Sequence, residues 1–202
     1  MSVLEARAGL RLCSIPYALG PPCLSTVVVH EMNGAFIVES GGFELFPRVE
    51  TLWYELKEHH RGMDPAFPDM STPSFELRQS GLKEKAKELL VDCVVRKSDS
   101  LEIGYCFSII DRNDVGEIES LYVREAFRGQ GIGKDLVMRA LLWMNQKCAT
   151  AKRVSVLSGN REAIRFYEHF GFRSRVQELM IPIIKTQAQP HHSAAHERTA
   201  RS

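Results

Sequence analysis

The sequence has no surplus of charge of either sign: 26 Lys and Arg stand against 25 Asp and Glu, a formal charge of +1. So small a net charge draws the chain neither to nucleic acid nor to an anionic membrane. The expected partner is a small molecule or a local patch on a protein, with no nucleic acid and no membrane. Long apolar runs are also missing. The charge-free stretch 13–30 is broken by Pro16, Gly20, Pro21 and Pro22, where a bilayer span needs roughly 18 to 20 consecutive apolar residues. The cysteines Cys13, Cys23, Cys93, Cys106 and Cys148 are scattered, odd in number and free of CxxC spacing, which excludes a disulfide framework and a zinc site of ordinary spacing. A reducing cytoplasm is the expected location. Cys106 and Cys148 read as small core residues rather than nucleophiles. The pair His59 and His60 has no third ligand at metal spacing, so it reads as surface and no metal is expected.

What is present suffices for one globular domain. The chain has 202 residues, of which 44% are apolar and 25% charged, enough to bury a sizeable core with some length left over. Residues 1–33 lack a sustained period and read as an N-terminal extension. Residues 34–185 carry the domain, and "TQAQPHHSAAHERTARS", residues 186–202, has too little to bury and is expected to be disordered. The pattern predicts a strand over 35–39, then a helix from Pro47 whose face repeats at Val49, Leu52, Trp53 and Leu56. Thr72 with Pro73 predicts the start of a second helix, with Phe75, Leu82, Ala86 and Leu89 along its face. The β-rich runs 89–97 and 101–110 read as an antiparallel hairpin. A strand over 117–123 follows, its alternation placing Glu117, Glu119, Leu121 and Val123 on one face.

The stretch "RGQGIGKDLVMRALLWM" then puts three glycines in five residues directly before a helix. Ile132, Leu136, Val137, Ala140, Leu141 and Met144 share its apolar face, so the helix runs from about Gly131 to about Lys147. A short strand over 153–158 precedes a last helix with Asn160 at its N-cap, an apolar face of Ala163, Phe166, Tyr167 and Phe170, and Gly171 at its end. A final strand is expected over about 172–183. This order predicts an α/β domain with a mixed sheet.

Glycine adopts positive φ without steric cost and lets another atom come close to the backbone. Residues 128–133 therefore read as a loop whose N–H groups converge at the positive end of a helix, an anion site and most naturally a phosphate site. A P-loop needs Ser or Thr after its Lys, but Asp135 follows Lys134. A GxGxxG dinucleotide fingerprint fails from Gly129, where Lys134 takes the third glycine position, and from Gly131, where Leu136 does. Both nucleotide motifs are excluded.

Arg128, Gly131 and Gly133 match the R/Q-x-x-G-x-G/A signature of the GNAT superfamily of N-acetyltransferases, and "SLYVREAFRGQGIG" and "SGNREAIRFYEHFGF" resemble its two signature regions. The resemblance covers about residues 35–184. It implies a GNAT-like mixed, mostly antiparallel sheet flanked by helices on both faces, and an acyltransferase that uses acetyl-CoA. The pyrophosphate of acetyl-CoA is then expected on Arg128, Gly129, Gln130, Gly131, Ile132, Gly133 and Lys134, and its pantetheine arm along Leu121, Tyr122 and Val123, where a backbone N–H polarises the thioester. Asn160 is implied as a further coenzyme contact. Acetyl transfer to an amine also needs a proton for the departing thiolate and a base for the amine. The resemblance assigns the first to Tyr167 and the second to a strand glutamate, Glu117 in preference to Glu119. Against these stand a core tyrosine and ordinary outward-facing strand residues. The acceptor is expected to be a small-molecule amine, the alternatives being a protein or peptide amine, or a coenzyme-binding module without turnover. A homodimer stays open.

Overall fold

A computed structural model of the chain describes residues 27–61, 63 and 74–181. The expectations for residues 1–26, for the Thr72–Pro73 cap and for the tail 186–202 fall outside them. One six-stranded sheet organises the rest, in the order β1 (Val28–Asn33), β2 (Phe36–Gly41), β3 (Ala86–Arg96), β4 (Leu101–Asp111), β5 (Val115–Val123) and β6 (Ala151–Val154). Neighbours pair antiparallel through β5, and β6 joins β5 in parallel. That change of direction follows from the connection, because a parallel neighbour needs a crossover, here a helix.

Helices α1 (Phe46–Arg61) and α2 (Phe75–Lys85) cover one face of the sheet, and α3 (Ile132–Gln146) and α4 (Arg161–Glu168) the other. Alternation along the strands supplies both cores. Val91, Cys93 and Val95 of β3 join Tyr105, Phe107 and Ile109 of β4 against Phe46, Val49, Leu52 and Trp53 of α1. The Phe46 ring stacks on Phe107 at 4.7 Å and 7°. On the opposite face Val94, Cys106, Ile110 and Ile118 pack on Ile132, Leu136, Val137, Ala140 and Met144 of α3. The mixed, mostly antiparallel sheet with helices on both faces is the architecture expected from the sequence. Among the described residues no helix is long and apolar enough to cross a membrane.

Several local expectations give way to tertiary pairing. Residues 28–33, assigned to the extension, form β1 and pair with β2 from Val28↔Ser40 to Asn33↔Phe36. Ala86 and Leu89, expected on the second helix, belong to β3: the helix ends at Lys85, Ala86 turns extended at φ −82 and ψ 130, and pairing with β4 captures the β-prone run. The N-cap of α2 is Ser74, whose Oγ accepts a hydrogen bond from Leu77 N at 3.3 Å. The final strand does not form through residue 181. Val176, Leu179 and Ile181 stay exposed at 78%, 84% and 93%, and β-prone side chains make no strand without a partner and a face to bury. Cys148 is exposed with φ 55 in the turn after α3, not in the core.

β5 departs from simple alternation. Its register on β4 shifts between Ser108↔Ile118 and Phe107↔Ser120, so Glu119 is an extra residue with no opposite partner, a β-bulge. The bulge reverses the faces beyond it. Glu117 and Glu119 point towards α2, where they meet Lys85, whereas Leu121 and Val123 join Ile118 in the α3-side core. The shared face expected for these four residues is therefore split.

Because β1 holds one edge of the sheet, a chain beginning at Met32 is expected to lose about 1–2 kcal/mol and to melt roughly 2–8 °C lower than the full chain. Differential scanning calorimetry checks this, and an unchanged midpoint would show that β1 adds nothing to the fold.

Candidate active site

The site begins where β5 and β6 part. They pair from Val115↔Ala151 to Ile118↔Val154 and no further. β5 nevertheless runs on to Val123, still paired with β4, so along residues 119–123 its other edge faces a gap instead of a strand. The bulge at Glu119 sits at that point and adds twist. A cleft of about 710 Å³ fills the gap, between Ile118 to Val123 on one side and Val154 to Leu157 on the other. It is closed by the loop before α3 and by α4.

The loop has the backbone that its glycines predict. Gly129 and Gly131 hold φ 76 and φ 83, and Gly131 is the left-handed N-cap of α3. Asp135 N closes the first helical bond on Gly131 O at 3.0 Å. The N–H groups of the first turn before it have no carbonyl available within the helix and open at the cleft end. A Cβ built on Gly129 or Gly131 meets nothing within 4 Å; the glycines are needed for their φ, and the space beside them is open to a ligand. Gly129, Gly131, Ile132, Gly133 and Lys134 line the cleft with Leu121, Tyr122, Val123 and Arg128, whereas Gln130 does not. Arg128 also ties the loop to the end of β5: its Nε donates to Val123 O at 3.0 Å and its guanidinium lies 5.8 Å from the Tyr122 ring centroid. Arg124 is used differently, in a two-point bond to Glu55 at 2.8 and 3.1 Å that fastens α1 to the end of β5.

α4 supplies two of the expected residues. Asn160 caps it, its Oδ1 accepting from Ala163 N at 2.9 Å, so the carbonyl is committed while the side chain also lines the cleft. Tyr167 is 8% exposed, held edge-on by Phe166 at 5.2 Å and Phe172 at 5.7 Å. Burial, reinforced by Cys106 and Tyr105, raises its phenol well above the ordinary value, so the group carries its proton at any physiological pH. The Cys106 thiol is pushed up to about 12 by burial, against a hydrogen bond with Ser108, which disfavours the nucleophilic thiolate.

The two glutamates occupy different places. Glu119 lines the cleft; Glu117 does not. Both are nearly buried and tied to cations. Glu117 meets Arg153 Nε at 2.7 Å and Lys85 at 2.8 Å. Glu119 meets Arg78 at 2.8 Å and also bonds Lys85. Burial acts to raise the Glu119 carboxyl, but Lys85 and Arg78 outweigh it and leave its pKa below the usual carboxylate value. Arg78 and Lys85 stand seven residues apart, two turns of α2, and so project from the same helix face.

Sequence reasoning missed the histidines. His59 and His60 are half-buried and both line the cleft, so the expectation that they lie on the surface is corrected. Their place depends on α1 lying across the parted ends of β5 and β6, and helix spacing alone carries no such information. Burial, with a smaller contribution from His59, lowers the pKa of His60 from its ordinary 6.5.

The sheet parted over a glycine-rich helix start agrees with the GNAT-like sheet that the sequence implied. Residues 52–172, more than half of the chain, match the acetyltransferase (GNAT) family, and the chain belongs to it. An uncharacterised N-acetyltransferase of Archaeoglobus fulgidus is 41% identical over 61 residues, 30% of this chain and 42% of that protein. One of Methanocaldococcus jannaschii is 32% identical over 68 residues, 34% of this chain and 30% of that protein. The chain thus spans less than half the length of these relatives. A tetramutant of the BH1408 protein from Bacillus halodurans has the same fold, with a TM-score of 0.59 at 18% identity over 72% of this chain and 99% of that one. So has an aminoglycoside acetyltransferase from an uncultured soil sample, solved with sisomicin, with a TM-score of 0.54 at 17% identity over 75% and 97% of the two chains.

The φ of Gly131 makes a direct prediction. Gly131→Val is expected to destabilise the fold by about 1–3 kcal/mol, because a β-branched residue is strained in the left-handed region, and Gly131→Asn by less. Urea denaturation separates the two; equal and negligible costs would mean that the loop does not need this backbone.

Proposed function

We propose that the chain is an N-acetyltransferase that moves an acetyl group from acetyl-CoA to a primary amine by direct transfer, the acceptor being a small-molecule amine. The observation that carries this reading is the open end of the sheet. An unpaired strand edge and the first-turn amides of α3 border one cleft, of about 710 Å³. The residues present suit the coenzyme. The positive-φ glycines leave open space above the amides, which fits a pyrophosphate, with Arg128 and Lys134 adding charge. The edge of β5 offers hydrogen bonds to an amide-rich arm, and an N–H there is in place to polarise a carbonyl. Bound acetyl-CoA supplies an activated acyl group as its thioester.

The chain's own residues supply positioning and protons. Tyr167 holds the proton that the departing sulfur needs. Its raised pKa is matched to the place, because the same burial that disfavours a phenolate also disfavours a thiolate beside it. Asn160 holds α4 in register with the cleft. Glu117 and Glu119, each engaged with two cations, serve in this reading to fix β5 against α2 rather than to take the amine's proton. A small amine is favoured over a protein amine because an aminoglycoside acetyltransferase shares the fold and because Glu162 and Glu178 on the cleft wall suit a cation.

Isothermal calorimetry with acetyl-CoA, paired with thiol release over a panel of amines, tests the reading. Tyr167→Phe is expected to bind acetyl-CoA as the natural chain does and to lose about 10²–10⁴ in kcat. Full turnover in Tyr167→Phe would make Tyr167 a packing residue. Coenzyme binding without turnover on any amine would make the chain a binding module.

A further inference from the structure

A second cavity, of about 720 Å³, lies on the other side of α4 and reaches back to α1. It shares only a short wall with the coenzyme cleft: Val154, Val156 and Leu157 of the β6 segment, and three titratable side chains, His60, Tyr167 and Glu178. Glu178 is exposed on a segment without regular structure. His60 and Tyr167 are held by helices where the two cavities meet. We propose that His60 is the general base of the transfer, taking the proton from an acceptor amine that approaches through the second cavity while Tyr167 faces the leaving sulfur. This rests on the acetyl-transfer reading and adds to it the base and the side from which the acceptor enters.

The two groups are driven apart in the direction that an acid–base pair requires. Burial and His59 lower His60 from 6.5, so its imidazole is neutral at pH 7 and has a free lone pair; burial raises Tyr167, so its proton is retained. Other charged groups line the same two cavities from each neighbouring element. On α1 they are Lys57, His59 and Arg61, and on α4 Glu162 and Glu168. The segment after α4 adds Arg173, Arg175 and Glu178, β5 adds Glu119, and the loop and the start of α3 add Arg128 and Lys134. The step balances. The amine nitrogen forms its bond to the acyl carbon as the carbon–sulfur bond breaks; one proton passes from nitrogen to His60 and one from Tyr167 to sulfur. The imidazolium and the phenolate then exchange a proton through water, which restores both groups and leaves an amide and a thiol.

The test has one arm without turnover and one with it. In histidine-resolved NMR of the full chain, titration with acetyl-CoA is expected to shift the His60 imidazole signals but not those of His30 or His169, and the His60 midpoint is expected below 6.5. Signals of His60 that stay still at saturation would overturn the proposal. In the second arm, kcat/KM is followed against pH with sisomicin and with a lysine-containing peptide. The natural chain is expected to show an acid limb below pH 6.5, the ordinary histidine value. His60→Gln should lose that limb and about 10²–10⁴ in kcat, with acetyl-CoA affinity unchanged within about twofold. If the natural chain turns over and His60→Gln keeps both the rate and the limb, His60 is not the base although the transfer reading stands. If the natural chain binds acetyl-CoA and acetylates neither amine, both fall together.

Discussion

The parting of β5 from β6 after Ile118↔Val154 is the constraint on which the rest of the site depends. A sheet interior satisfies every backbone group and leaves no room for a ligand. Here one strand continues while its parallel neighbour turns away, so a strand edge faces a gap, with Arg78 bonding Glu119 O at one end and Arg128 bonding Val123 O at the other. Three features keep the gap from closing. The bulge at Glu119 twists the strand, Arg78 bonds the bulged residue at both its carbonyl oxygen and its carboxylate, and α3 and α4 pack Ile132, Phe166 and Tyr167 against the core beside the opening. The glycine loop then places the start of α3 at one end of the same gap.

The buried charges follow the same plan. Asp111, Arg153, Glu117, Lys85, Glu119 and Arg78 form a line of alternating sign from the end of β4 to the bulge, each joined to the next. The carboxylates of Glu117 and Glu119 are the buried members, and each has two cationic partners, so the loss of one cation leaves the other in place. The line ties β5 to α2. Burial raises the phenol of Tyr167 and lowers the imidazole of His60 from their ordinary values. Burial thus moves the two groups in opposite directions, the pairing that the proposed transfer would use.

How much of this was legible in the sequence depends on the range of the interaction. The left-handed Gly131, the Asn160 cap and the amphipathic face of α3 were readable, because backbone sterics, capping and helical period are local. The β3–β4 hairpin was readable for the same reason. The bulge was not: period-two reasoning runs through Glu119 without a signal, and only the register on β4 shows that the faces change. β1 depends on pairing with β2, and the missing final strand depends on the lack of a partner, neither of which a propensity contains. His60 and Tyr167 are far apart in sequence and share a cavity wall only because α1 lies across the parted strands.

The central claim is that the unpaired end of the sheet and the glycine loop form one coenzyme site. Amide hydrogen exchange of the full chain with and without coenzyme A measures it residue by residue. Binding is expected to slow exchange at residues 119–123 of β5 and at 129–134, and to leave β1 and β2 unchanged. Protection that appears elsewhere, or on the loop without the strand edge, would contradict the account.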